Sequence, residues 1–317
     1  MQYRRLGRTE ISVAPLGLGA WAMGGSVQTW GNVDDRESIA AIHMALDLGI
    51  NLIDTAPFYG LGHSESVVGK ALQGRRSAAV IATKCGAPIA DHADGQPRRC
   101  LKRDSILREC DQSLRRLQTE WIDLYQCHWP DPDTPLRETM GALTHLFEMG
   151  AIRAIGLSNF SCEQLRGALE FGPVHAVQLP FSMIQTRAAN DLIPFCHEHH
   201  IAVLACSPLA RGLLTGKFSL EDSFEDLRSK DPDFTGNRFH RNLRLVDSLR
   251  AVAAEHDKSV AQLALSWVAG YPGITAALFG AKRPSQVVEN AAAGGWTLPP
   301  QDRERIDALL GGGAHDL

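Results

Sequence analysis

The chain has 317 residues, is 44% hydrophobic and 21% charged, and carries 32 Lys plus Arg against 36 Asp plus Glu. A formal net charge of -4 excludes a general nucleic-acid binder, which needs a basic surplus to neutralise phosphates. No apolar run follows the N-terminal arginines, so no secretory signal is expected. The most apolar late stretch, 263–281, is broken by Ser266, Pro272 and glycines, which argues against a membrane span.

Seven cysteines form no C-x-x-C pair and read as reduced thiols of a cytoplasmic protein. A first strand is predicted at 15–21 (PLGLGAW). A helix over 34–49 follows, with Asp34 and Glu37 at capping-box spacing and Gly49 as a stop. Strand two is 51–56 (NLIDTA), then a short helix over 64–74. Strand three is 78–84 (AAVIATK), followed by a long polar loop and a helix over 104–118. Strand four is 122–129 (IDLYQCHW), with a helix over 135–150. Strand five is 152–159 (IRAIGLSN), and its helix, 161–170, opens on another capping box. Strand six is 175–179 (HAVQL), with 188–200 helical despite Pro194. Strand seven is 201–208 (IAVLACSP). A long loop runs to about Arg241, then two helical segments, then strand eight at 275–281 (TAALFGA). A last helical part opens at Pro284, a natural first-turn position.

Eight alternating units with no composition break predict one closed (β/α)8 barrel, a single domain over 1–317. The rival is an open doubly wound sheet, since 17–22 (GLGAWA) fits G-x-G-x-x-A. That motif needs a helix opening on it, and here a glycine-rich aperiodic stretch follows instead.

In such a barrel, chemistry sits at the C-terminal ends of the strands. Strand two ends in Asp54, with Tyr59 in its loop; strand three ends in Lys84 and strand four in His128. A buried carboxylate and a buried ammonium on adjacent strands are natural partners. Taken singly, these residues read as a structural salt bridge and a satisfied histidine. Cys85 and Cys127 flank Lys84 and His128, but strand alternation turns them to the other face, as small apolar packing. The HEHH run, 197–200, ends a helix before strand seven. It therefore belongs to the bottom of the barrel, and no metal site is expected there.

Six stretches, 54–72 (DTAPFYGLGHSESVVGKAL), 81–86 (IATKCG), 113–132, 152–160 (IRAIGLSNF), 207–217 (SPLARGLLTGK) and 280–290 (GAKRPSQVVEN), together resemble the aldo-keto reductases in order and spacing. The resemblance implies a carbonyl reductase that uses a nicotinamide cofactor on a barrel, with Asp54, Tyr59, Lys84 and His128 as the catalytic four. Tyr59 would be the general acid and His128 would hydrogen-bond the carbonyl oxygen. Lowering the Tyr59 pKa by two to three units takes about 3–4 kcal/mol. One ammonium about 4 Å away supplies about 4 kcal/mol at an effective dielectric of about 20, so Lys84, kept charged by Asp54, is of the right size.

The resemblance also implies cofactor contacts. Ser158, Asn159 and Gln178 would hold the carboxamide, Phe181 would stack on the nicotinamide, and Ser207, Leu209, Arg211 and Gly212 would cradle the pyrophosphate. Gln286, Glu289 and Asn290 would lie near the adenine, beside Gly280, Lys282 and Arg283, with Trp21 also at the cofactor. Pro180-Phe181 stands where many relatives have Glu-Tyr, and Cys206 where an aromatic is common. Gly280-Ala281 replaces a Lys-Ser found in some. The paired basic residues Lys282 and Arg283, before a helix N-terminus, predict NADP(H) over NAD(H).

Trp21, Trp30, Phe58 and Trp129 are candidates for an apolar or sugar-stacking pocket; the basic stretches 98–103 and 237–244 read as solvated loop faces. The expected partner is a small carbonyl or sugar substrate, not nucleic acid or membrane. The rival function is a regulatory binding protein on the same barrel, as in potassium-channel β subunits.

Overall fold

The structure is a computed structural model that describes residues 1–25, 31–89 and 98–312. Eight parallel strands close into a barrel: β3 (Leu16–Gly19), β4 (Leu52–Asp54), β5 (Val80–Cys85), β6 (Leu124–Cys127), β7 (Ile155–Ser158), β8 (Ala176–Pro180), β9 (Ala202–Cys206) and β10 (Ala276–Gly280), with β10 pairing back onto β3. These are the eight predicted strands, in sequence order around the barrel. The doubly wound alternative fails where it was weakest: β3 is followed by a 3-10 turn, Trp21–Gly24, not by a helix.

Around the barrel lie α1 (Asp35–Asp47), α2 (His63–Ala71), α3 (Arg103–Leu117), α4 (Leu136–Glu148), α5 (Cys162–Leu169), α6 (Leu192–Glu198), α7 (Gly236–Ala254), α8 (Val260–Ala269), α9 (Pro284–Ala291) and α10 (Pro300–Gly312). Reciprocal capping boxes open α5 (Ser161 with Gln164) and α8 (Ser259 with Gln262). At α1 the expected Asp34–Glu37 box gives way to a simpler cap, in which the Asp34 side chain accepts from the Arg36 N–H at 2.8 Å. Pro194 is third in α6, where its missing N–H has no intrahelical acceptor to lose. Among the described residues no helix is long and apolar enough to cross a membrane.

One element has no sequence signal. β1 (Arg4–Arg5) and β2 (Ser12–Val13) pair antiparallel, too short to show a period. Leu6 and Val13 pack against Leu52, Val80, Leu124, Leu204 and Leu278, the inward-facing apolar residues of the barrel, so the hairpin plugs its N-terminal mouth. Arg4 Nη1 fastens it, donating to the carbonyls of Ala269, Ile274 and Thr275 at 2.7, 3.0 and 3.2 Å.

Strand parity then places the site. One or two steps up from this apolar layer on the same inward face, that is two or four residues on, stand Asp54, Lys84, His128, Ser158, Gln178 and Cys206. Room for large neighbours comes from inward glycines. A Cβ at Gly17 would lie 2.6 Å from Leu278 Cδ2, and one at Gly156 would lie 2.7 Å from Gln126 Cγ.

Candidate active site

Asp54 closes β4 at 4% exposure, and Lys84, one strand away, is 1% exposed. Lys84 Nζ donates to both Asp54 carboxylate oxygens at 2.9 Å and to the Thr55 carbonyl at 2.9 Å, and lies 3.2 Å from the Tyr59 hydroxyl. The carboxylate is thus the anchor that lets an ammonium stay charged in a dry barrel mouth. Burial pulls the Lys84 pKa down, but Asp54 and then Tyr59 more than offset it, and the group is held above its ordinary range.

Tyr59 is placed by a tight loop. Gly60 has φ +62, and a Cβ there would stand 2.0 Å from the Gly24 carbonyl oxygen, so only glycine lets the tyrosine loop rest on the 21–24 turn. Ser64 Oγ ties the same loop to the Ala20 carbonyl at 2.8 Å and meets Thr55 Oγ1 at 2.8 Å.

The expected lowering of the Tyr59 pKa does not occur. Burial pushes the phenol up to about 12, outweighing the pull of Lys84, and Asp54 pushes the same way. The reason is burial: taking the phenolate out of water costs more than the one neighbouring ammonium, itself paired with Asp54, gives back. The phenol therefore holds its proton through neutral pH, the state a donor requires.

His128 is 6% exposed, and burial, reinforced by Lys84, holds its pKa well below the ordinary imidazole range. It is a neutral ring, stacked on Trp129 at 3.6 Å between centroids and set edge-on to Tyr59 at 5.9 Å. Phe58 meets Trp129 at 5.6 Å, and Trp21 meets Tyr59 at 6.1 Å. Trp21, Phe58 and Trp129 thus border the Tyr59–His128 pair, while Trp30 lies outside the described residues.

Two of the residues expected at a carboxamide are tied into the tetrad itself. Gln178 Nε2 donates to Asp54 Oδ1 at 2.9 Å, and Asn159 Nδ2 donates to the His128 carbonyl at 2.9 Å and to Ser158 Oγ at 3.1 Å. Ser158 Oγ in turn reaches Gln178 Oε1 at 3.4 Å. Asn159 takes a left-handed φ of 61°, which asparagine tolerates better than most residues.

Phe181 is a correction. It is fully buried, stacked on Trp267 of α8 at 5.5 Å and edge-on to Tyr271 at 4.8 Å. Gln178 faces the lumen, so Pro180 does too, and Phe181 must point out into the helix layer. Its ring is core packing and does not reach a nicotinamide at the mouth.

The remaining rim carries strained backbone and clustered cations. In 207–216, three non-glycine residues, Ser207, Ala210 and Arg211, have positive φ (54°, 47° and 55°), beside Gly212 at 94°. Such a run is strained and is kept only where its surroundings fix it. An Arg211–Asp231 ion pair is one such restraint, and Leu209 is buried beneath. At the next strand, exposed Gly280 ends β10, and the Lys282 N–H donates to Gln286 Oε1 at 2.8 Å. Gln286, Glu289 and Asn290 follow on one face of α9. Burial, then Arg283, Lys217 and Arg228, lower the Lys282 pKa against a smaller opposing pull from Asp226, the ion-pair partner of Arg228, so four cations and one carboxylate gather at this point. Lys217 and Arg228 carry no sequence signal for this, since they come from a loop over 50 residues away.

A buried ion pair, a phenol and a neutral imidazole thus meet on the C-terminal rim of a parallel barrel, the end at which such barrels carry their chemistry. The comparisons agree. The sequence matches the Aldo/keto reductase family over residues 15–310, and the chain belongs to that oxidoreductase family. It is 42% identical over 98% of its length to aldo-keto reductase YhdN of Bacillus subtilis, covering 94% of that protein. It is 34% identical to the NADH-specific methylglyoxal reductase of Escherichia coli, over 96% of this chain and 98% of that one. The glycerol dehydrogenase AKR11B4 from Gluconobacter oxydans superposes with a TM-score of 0.91 at 38% identity, over 98% of this chain and 96% of that one.

Proposed function

We propose that the chain is an NAD(P)H-dependent carbonyl reductase that interconverts a small aldehyde, ketone or sugar and its alcohol, with Tyr59 as general acid and base. The carrying observation is one buried ammonium, Lys84, shared between the Asp54 carboxylate and the Tyr59 hydroxyl. A purely structural ion pair has no need of a phenol beside it, nor of a neutral imidazole edge-on to that phenol.

When bound, a reduced nicotinamide dinucleotide supplies the hydride. Tyr59 gives its proton to the carbonyl oxygen as that oxygen gains charge, and Lys84 stabilises the phenolate left behind. Asp54 keeps Lys84 charged and aimed. His128, as a neutral ring, donates a hydrogen bond to the same oxygen and orients it. Trp21, Phe58 and Trp129 give the site apolar walls that exclude water.

Ser158, Asn159 and Gln178 would meet the nicotinamide end of the cofactor, and Ser207, Leu209, Arg211 and Gly212 the pyrophosphate. Gly280, Lys282, Arg283, Gln286, Glu289 and Asn290 would meet the adenosine end. The cation cluster of Lys282, Arg283, Lys217 and Arg228 favours a 2′-phosphate and so NADP(H). The E. coli relative is named NADH-specific, so the preference within this family has to be measured chain by chain. The names of that relative and of the G. oxydans dehydrogenase favour a small polar carbonyl or polyol as substrate.

The test is NADPH oxidation by the purified chain against a panel of small aldehydes, ketones and sugars. Turnover with at least one of them, with no partner protein added, is expected. No turnover with any would favour the regulatory binding role.

A further inference from the structure

A second buried carboxyl stands behind the tetrad, on the outer face of the barrel. Glu109 of α3 is 2% exposed. Its Oε2 accepts from the backbone N–H of Gly86 at 3.1 Å and of Ala87 at 3.3 Å, and its Oε1 from Ser105 Oγ at 3.0 Å. Gly86 and Ala87 are the turn that leaves β5 just after Lys84 and Cys85. The Cys85 carbonyl accepts the His128 N–H at 2.9 Å. One carboxylate therefore grips the backbone that carries Lys84 and that, through Cys85, receives His128.

We propose that Glu109 is a positioning residue for the reaction: its ionised carboxylate clamps the 85–87 turn and so fixes Lys84 and His128 relative to each other. The proposal rests on the reductase reading above. Hydrogen bonds to a charged acceptor are roughly twice as strong as neutral ones, so the clamp is firm only while Glu109 is ionised. The groups that face it are Ser105 and Arg108 on its own helix, the Gly86 and Ala87 amides and Cys85 from β5, and Tyr125 from β6. Glu65 of α2 is engaged elsewhere, by Thr83 and Arg116. Burial outweighs the donors and Arg108, and raises the Glu109 pKa to about 7. The clamp is thus charged at about pH 8 and neutral at about pH 6.

The experiment uses the full chain, as wild type, Glu109→Gln and Ser105→Ala. Amide proton shifts of Gly86 and Ala87 are followed from about pH 5 to about pH 9, and kcat/KM is measured over the same range. In wild type the two amides move together with a midpoint near 7, and in Glu109→Gln they do not move. Ser105→Ala, which removes a donor to the charged form, moves the midpoint upward. kcat/KM of the wild type falls about fivefold on the acid side with the same midpoint, while Glu109→Gln is flat at about the low-pH value. Amides that do not titrate in wild type overturn the clamp, whatever the turnover. Amides that titrate while Glu109→Gln and wild type share one kinetic pH profile overturn the positioning role. Normal turnover in Tyr59→Phe would remove the reaction reading alone and leave the amide titration to judge the clamp.

Discussion

Gln178 Nε2 meets Asp54 Oδ1 at 2.9 Å across the barrel mouth, from β8 to β4, two strands that are not neighbours. The contact needs no ligand. Gln178→Leu should therefore weaken the chain even without cofactor, by about 1–3 kcal/mol, the cost of leaving a buried charged acceptor one donor short. Denaturant unfolding of the ligand-free protein measures it. An unchanged midpoint would mean that Gln178 serves the cofactor alone.

Lys84→Met leaves Asp54 buried without its cation and should destabilise by about 3–5 kcal/mol. Adding Asp54→Asn should recover most of that stability, since a neutral amide tolerates the site, but should not recover turnover. If the double variant regains activity, the ammonium is structural and has no part in the proton transfer.

The pH dependence has a definite sign for each group. Tyr59 is raised from 10.0 to about 12, so its share of stability is present below pH 10 and lost as pH rises through about 12. Loss of the Tyr59 proton should slow reduction only in alkali, separately from the acid-side fall assigned to Glu109, while alcohol oxidation, which needs the phenolate, should rise with pH. His128 is lowered from 6.5, so its contribution is present above 6.5 and lost as acid protonates it. Glu109 is raised from 4.5 to about 7: its contribution is present below 4.5 and lost on the way to 7, by about 3 kcal/mol at 1.36 kcal/mol per unit. The difference in unfolding free energy between Glu109→Gln and wild type should therefore move in the variant's favour between those pH values. No relative change would place the carboxyl's titration elsewhere.

For the cofactor, Lys282→Ala with Arg283→Ala should weaken NADPH about tenfold or more and NADH little, and the NADPH loss should shrink at high salt. Lys217→Ala should add to the loss. Dissociation constants for both dinucleotides decide it, and equal losses would show that these cations read the pyrophosphate or nothing at all.

The barrel was legible because each unit pairs a short apolar strand with an amphipathic helix closed by a cap or a glycine, and strand ends then delivered Asp54, Lys84 and His128 to one rim. The hairpin was not, since two-residue strands have no period. The outward turn of Phe181 was implied by strand parity from Gln178, and motif matching overrode that simpler rule. Glu109 left a trace too. It stands three residues after Ile106 and one before Cys110, on the apolar stripe of α3, where a carboxylate is out of place. The Tyr59 pKa was not legible, because it depends first on how fully the folded barrel mouth buries the phenol.

The central claim is that Tyr59 donates the proton, and single-turnover oxidation of NADPH by an accepted aldehyde tests it most directly, in wild type and Tyr59→Phe. The phenyl ring keeps the packing against Trp21 and His128 and loses only the hydroxyl. The variant should bind NADPH within about twofold of wild type and transfer hydride about 10²- to 10⁴-fold more slowly. Hydride transfer at the wild-type rate in Tyr59→Phe would contradict the assignment.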